Sequence, residues 1–321
     1  MTRSLFPLLG ALLLALTSTA SAETLIYSRA AQLIENPPGK FRDVFDIFAV
    51  DPTTNITTRL TVTPPGKEYD NADGVLNAAG DRIVFYSYRH RGEAGNGNTA
   101  ELYTMAPDGS QETRITTNAG IDDAFPKWCG DFILFARYDN NGTTESDIYR
   151  INPDRSGLQP IIATGADEFD PDCHAASGKI TYVRTVAGND RKIMVADLDG
   201  SNILTLTTLP SICGAPRWSS DGQWIVYACD HHNPQTFEQD VYRMKPVDVA
   251  PQDGEGDGRE RLTVSPAGST VAAPVFSPDG LRIGWTRVTG PEQTVFSKTI
   301  GASDDAPMAA IDGRSFLSDW K

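Results

Sequence analysis

The 321-residue chain carries 28 Lys and Arg against 42 Asp and Glu, a formal net charge of −14. That balance argues against nucleic acid and anionic membrane as partners, because both would repel it. Its single apolar run, Leu8 to Leu16, is about half the roughly 20 residues that a spanning helix needs.

From the start, Arg3, this apolar run and Ala20-Ser21-Ala22 form the pattern of an export signal with a small-x-small cleavage site. Residues 1–22 are therefore read as a signal peptide and 23–321 as one mature domain, periplasmic or secreted and monomeric. Removing the signal takes away Arg3 and no acid, which leaves −15.

The mature chain repeats one pattern, clearest at Ala215-Pro-Arg-Trp-Ser-Ser-Asp-Gly-Gln-Trp-Ile-Val-Tyr-Ala-Cys-Asp230. It reads as a strand ending in Pro-x-Trp, a tight turn in which Asp-Gly supplies the positive φ, and a second strand with period-two apolar residues. Copies begin at Gly74, Phe125, Asp170 and Ala273. Each hairpin is followed by a third strand and, in most copies, a short Leu-Thr strand. The third strands start at Ile47, Leu102, Ile148, Ile193, Val241 and Val295. Four short strands recurring every 45 to 55 residues are the signature of a β-propeller blade. Five units are complete. Thr24 to Arg29 matches a second strand with no first strand before it, and Phe316 to Trp320 matches a first strand with nothing after it. Joined, these ends make a sixth blade and remove exposed sheet edges. The expected fold is all-β: one six-bladed propeller closed by its own termini.

Four cysteines in an oxidising compartment allow three pairings. Placing Trp218 opposite Trp224 puts Cys213 opposite Cys229, so a cross-strand disulfide is expected there. Cys129 and Cys173 fall near the Trp position of consecutive repeats and form the second expected pair.

The repeats of Pro-x-Trp-Ser-x-Asp-Gly, Ile-x-Phe/Tyr, Asp-Ile-Tyr and Leu-Thr resemble the TolB-type propellers of bacterial envelopes over nearly the whole mature chain. The motif is sharp at Pro216 to Gly222 and Pro274 to Gly280. The resemblance implies a periplasmic binding role at the channel mouth. The family's name-giving member has an α/β domain before its propeller, whereas only Glu23 to Asp46 precedes the first third-strand motif here. Related propellers also precede peptidase domains, but the chain shows no Gly-x-Ser-x-Gly elbow.

Long insertions, read as loops at Arg29 to Phe45, Arg89 to Ala100 and Asp230 to Gln239, share one face of the expected propeller, and long loops are where function concentrates. Asp70, Asp122 and Asp167 each stand four residues before a Pro position, joined by Asp123, Glu168 and Asp170. Grouped at the channel mouth, they would suit a basic protein segment or calcium or another divalent cation, with Asp70, Asp122 and Asp167 as candidate metal ligands. Asp also commonly accepts backbone hydrogen bonds at strand starts. The loop Pro246 to Gly258 begins like a calcium loop but has Val264 where a bidentate Glu belongs. Arg89, His90, His231 and His232 complete the candidate binding residues. The leading expectation is a non-enzymatic module that binds an envelope protein or peptide. The alternative is a metal-dependent carbohydrate-active enzyme of polysaccharide-lyase type using the loop histidines.

Overall fold

The computed structural model describes residues 23–35, 41–90, 99–117, 120–139, 145–207, 210–236, 238–246, 259–303, 305–308, 311 and 313–321. The signal segment and most of 246–258 lie outside the described residues. The strands are β1 (Leu25–Glu35), β2 (Phe41–Asp51), β3 (Ile56–Arg59), β4 (Asn71–Leu76), β5 (Ile83–Ser87), β6 (Glu101–Met105), β7 (Thr113–Arg114), β8 (Ile121–Cys129), β9 (Phe132–Asp139), β10 (Ser146–Ile151), β11 (Gln159–Ile162) and β12 (Glu168–His174). They continue as β13 (Lys179–Thr185), β14 (Arg191–Asp197), β15 (Leu204–Thr205), β16 (Cys213–Trp218), β17 (Ile225–Cys229), β18 (Asp240–Met244), β19 (Glu260–Arg261), β20 (Ser269–Phe276), β21 (Arg282–Thr289), β22 (Glu292–Thr299), β23 (Ala306–Pro307) and β24 (Ser315–Trp320). One turn of 3₁₀ helix at Ala175–Ser177 is the only helix among the described residues.

These strands form six antiparallel four-stranded sheets. Five use consecutive strands, and the sixth is ordered β24-β1-β2-β3, so the last strand of the chain pairs with the first. The seam is tied at its tip, where Thr24 and Lys321 exchange backbone hydrogen bonds. Innermost strands touch their neighbours around the ring, and β20 touches β24. This is a closed six-bladed propeller.

Period-two alternation sends one aromatic of each second strand into the core. Tyr27, Phe85, Phe135, Tyr182, Tyr227 and Trp285 are all fully buried at the same repeat position. Four stack on a third-strand ring, as Phe85 does on Tyr103 at 5.4 Å and Tyr227 on Tyr242 at 5.6 Å, and Phe135 meets Tyr149 tilted at 6.1 Å. The Leu-Thr motif also has a cause. The hydroxyls of Thr61, Thr116, Thr207 and Thr263 accept the N–H of Ile47, Leu102, Ile193 and Val241 in the third strands. The preceding Arg59, Arg114 and Arg261 pair with the buried acids Asp46, Glu101 and Asp240.

The Pro-x-Trp motif marks a β-bulge in the innermost strand. In blades two to six, two residues of that strand oppose one on its partner. The first of the two (Asp73, Phe125, Asp170, Ala215, Ala273) has φ between 49° and 52°. Pro126, Pro171, Pro216 and Pro274 follow it, at the point where the ladder skips a bond and a missing N–H costs nothing. In blade two Gly74 takes the proline's place, because a Cβ there would come within 2.8 Å of Ile26 and 2.9 Å of Ile47 in blade one.

Two features differ from the sequence reading. The stretch Arg29 to Phe45 is largely paired, since β1 runs to Glu35 and β2 starts at Phe41. Trp218 pairs with Ile225 instead of Trp224, and the bulge between Gly214 and Arg217 absorbs the extra residue. Cys213 therefore still faces Cys229, and both expected disulfides are present, with Cα separations of 4.1 Å for Cys213–Cys229 and 5.7 Å for Cys129–Cys173. The second staples the inner strands of blades three and four.

Candidate functional site

Innermost strands wall the central channel, and its two ends differ chemically. At the long-loop end, the candidate acids hold blade junctions. Asp70 accepts from Phe45 N at 3.0 Å and pairs with Arg42 at 2.6 Å. Asp122 accepts from Ala100 N. Asp167 accepts from Ser146 Oγ at 2.6 Å and Thr185 Oγ1 at 3.0 Å. Each thus receives a donor from the third-strand region of the blade before it. Asp123 forms a buried bidentate pair with Arg137 at 2.7 and 2.9 Å, Glu168 pairs with Arg184 at 2.9 Å, and Asp170 pairs with Arg217 at 2.9 Å. Among the described residues, no three carboxylate or imidazole groups gather within 4.8 Å of one another. The structure therefore does not bring Asp70, Asp122 and Asp167 together as one cation cage.

Arg89 and the histidines lie on their own blades. Arg89 covers Tyr103 at 4.5 Å, pairs with Glu112 and donates to Asn71. His90 stacks on Tyr103 and His232 on Tyr242, the same repeat position in blades two and five, which lie across the ring. His231 meets Tyr242 edge-on, with Nε2 3.9 Å from Cys213 Sγ. Cys213, Cys229 and His231 are the one group close enough to share a metal among the described residues, but their two sulfurs are bonded to each other.

An aromatic wall runs beside the acids. Tyr88, Tyr86, Phe125 and Phe169, all partly exposed, form a chain of ring contacts at 5.9, 6.2 and 6.4 Å across blades two, three and four. Burial raises the pKa of the Tyr86 and Tyr138 hydroxyls, so both stay neutral.

Deeper in the channel is a cluster that sequence reasoning reached only through Asp170: Asp73, Lys127, Asp170, Asp172 and Arg217. Burial raises the pKa of Asp73 and Asp172 and lowers that of Lys127. Asp73 is only partly exposed. The available signal was the middle residue of Pro-x-Trp, charged in three successive blades as Lys127, Asp172 and Arg217.

Solved structures with this architecture include TolB of Acinetobacter baumannii (16% identity, 88% of this chain and 68% of that one, TM-score 0.57). A TolB-type protein of Agrobacterium tumefaciens matches over 92% of this chain and 96% of its own, at 13% identity and TM-score 0.61. The chain folds as a TolB-like six-bladed propeller. An oligogalacturonate lyase in complex with manganese is similar as well, at 16% identity over 80% of this chain and 72% of the other, TM-score 0.51. At these identities the likeness concerns the fold. No protein-family model matches the chain. No curated protein matches its sequence.

Proposed function

We propose that this TolB-like propeller is a non-enzymatic binding module of the cell envelope that takes a protein or peptide segment at the long-loop end of its channel. The observation that carries this reading is the aromatic wall Tyr88–Tyr86–Phe125–Phe169 beside Asp70, Asp122 and Asp167. Partly exposed rings bury much apolar area at small entropic cost, and carboxylates at the rim favour basic segments. Export to the periplasm agrees with two disulfides, which persist in oxidising compartments.

The test is a photo-crosslinking amino acid at Tyr88, compared with the same probe at Leu281, which is 64% exposed on the opposite face. The expected result is one envelope adduct from position 88 alone, weakened by roughly 0.5 M salt, where the screening length is about 4 Å. Equal adducts from both positions, or none from position 88, would sink the proposal. The lyase reading is motivated by the manganese-bound neighbour. Its test is stoichiometric metal in the purified protein, lost on His231→Ala.

A further inference from the structure

The tight-turn end of the channel holds a cavity of about 420 Å³, within the size range of small-molecule sites. One residue from each blade, at the same repeat position, encircles it: Asp319, Val75, Lys127, Asp172, Arg217 and Val275 in ring order. The next position adds three indole rings, Trp320, Trp128 and Trp218. The charges alternate in sign from Lys127 to Asp172 to Arg217, with Asp319 on the other side of the ring.

Lys127 is 3% exposed, yet its ammonium makes no hydrogen bond and no ion pair within 4.0 Å among the described residues. Its stem is enclosed while Nζ is not among the fully buried unpaired atoms, so the ammonium faces the channel, where a ligand carboxylate can replace water as its acceptor. Two carboxylates of the ring, Asp172 in the next blade and Asp319 two blades away, are half used: Asp172 Oδ2 accepts from Trp218 N at 2.7 Å, and Asp319 Oδ2 accepts from Leu76 N at 2.9 Å. Their Oδ1 atoms accept no hydrogen bond among the described residues. A singly charged ligand would meet attraction from one sign and repulsion from the other. A ligand with opposite charges a few ångströms apart satisfies both.

We propose that this end of the channel binds a small zwitterion of α-amino-acid or dipeptide size. Its carboxylate meets Lys127 and Arg217, its ammonium meets Asp172 and Asp319, and the tryptophan rings surround the ammonium. The site lies at the opposite end of the channel from the protein-binding mouth, so either can fail without the other.

The experiment is titration calorimetry of residues 23–321 with the twenty α-amino acids singly and with Gly-Gly. Any compound that binds is followed by its N-acetyl form, which is anionic only, and its amide, which is cationic only. At least one zwitterion should bind, and each blocked form should bind at least about tenfold more weakly. Lys127→Met and Asp319→Asn should weaken binding by a similar factor, while Tyr88→Ala leaves it unchanged. Asp319→Asn keeps the oxygen that accepts from Leu76 N, so it remains informative should Lys127→Met not fold. No binding by any zwitterion, equal binding of a blocked form, or full binding by Asp319→Asn would overturn the assignment.

Discussion

Replacing Cys129 and Cys173 together by alanine should destabilise the propeller more than removing the other disulfide. The bond spans 44 residues and ties the inner strand of blade three to that of blade four. In the chain-entropy treatment, closing a loop of that length in the unfolded state is worth about 4 kcal/mol, against about 3 kcal/mol for the 16-residue separation of Cys213 and Cys229. With an unfolding entropy of about 2.1 cal/mol/K per residue over roughly 300 residues, 4 kcal/mol corresponds to a fall in Tm of about 6 °C. Calorimetry and urea titration of the oxidised protein and both double-alanine variants measure this directly. The fold should persist without the bond, because the apolar core shared by blades three and four, with Leu134, Ile148, Ile180 and Tyr182, remains. A loss below about 1 kcal/mol for the Cys129/Cys173 variant, or a larger loss for Cys213/Cys229, would refute the reasoning, since unfolded-chain entropy could not then be the governing effect.

Three other outcomes are expected. Asp46 is fully buried and accepts from Arg59, Thr61, Thr63 and Asn71, so Asp46→Ala should cost about 3–5 kcal/mol by urea titration, as for a broken buried pair. Ala215→Gly and Ala273→Gly remove a Cβ at φ 51° and 49°. The relief of about 1–2 kcal/mol, set against about 0.5–1 kcal/mol of extra unfolded-state entropy, should leave each variant modestly more stable, and a loss would refute the strain argument. Burial raises the Asp73 pKa above its ordinary 3.8, so its stabilising contribution is complete below that pH and is lost as pH rises through the folded-state value. Asp73→Asn should therefore be more stable than the native protein at neutral pH, with the gap closing below pH 3.8; a constant difference across pH would refute it.

The blade repeat was readable because its causes are local. Asp-Gly supplies the turn, with Gly222 and Gly280 at φ 67° and 69°, and period-two alternation places one aromatic per blade in the core. Closure was readable from unmatched half-motifs at the two ends. The disulfide Cys213–Cys229 was legible although the assumed hairpin register was off by one at the turn. The bulge beside Pro216 supplied the compensating residue, and nothing in the local alternation announced it.

The carboxylates of the mouth show where local reading stops. Asp70, Asp122 and Asp167 look alike in sequence, but each takes one hydrogen-bond donor from the preceding blade, 21 to 25 residues earlier in the chain. Whether a carboxylate is used within the protein or left for a ligand depends on which N–H groups ring closure delivers to it. His90 and His232 are equivalent by repeat, and for that reason the fold sets them apart on blades two and five.

By itself, the sequence determined the number of blades, the position of each strand's buried face and the pairing of the cysteines, since turn chemistry and alternation act over a few residues. Only the tertiary structure decided that Lys127, Asp172, Arg217 and Asp319 surround one cavity. Each contributes a single side chain from a separate blade, and they share a neighbourhood only because six sheets close about a common axis.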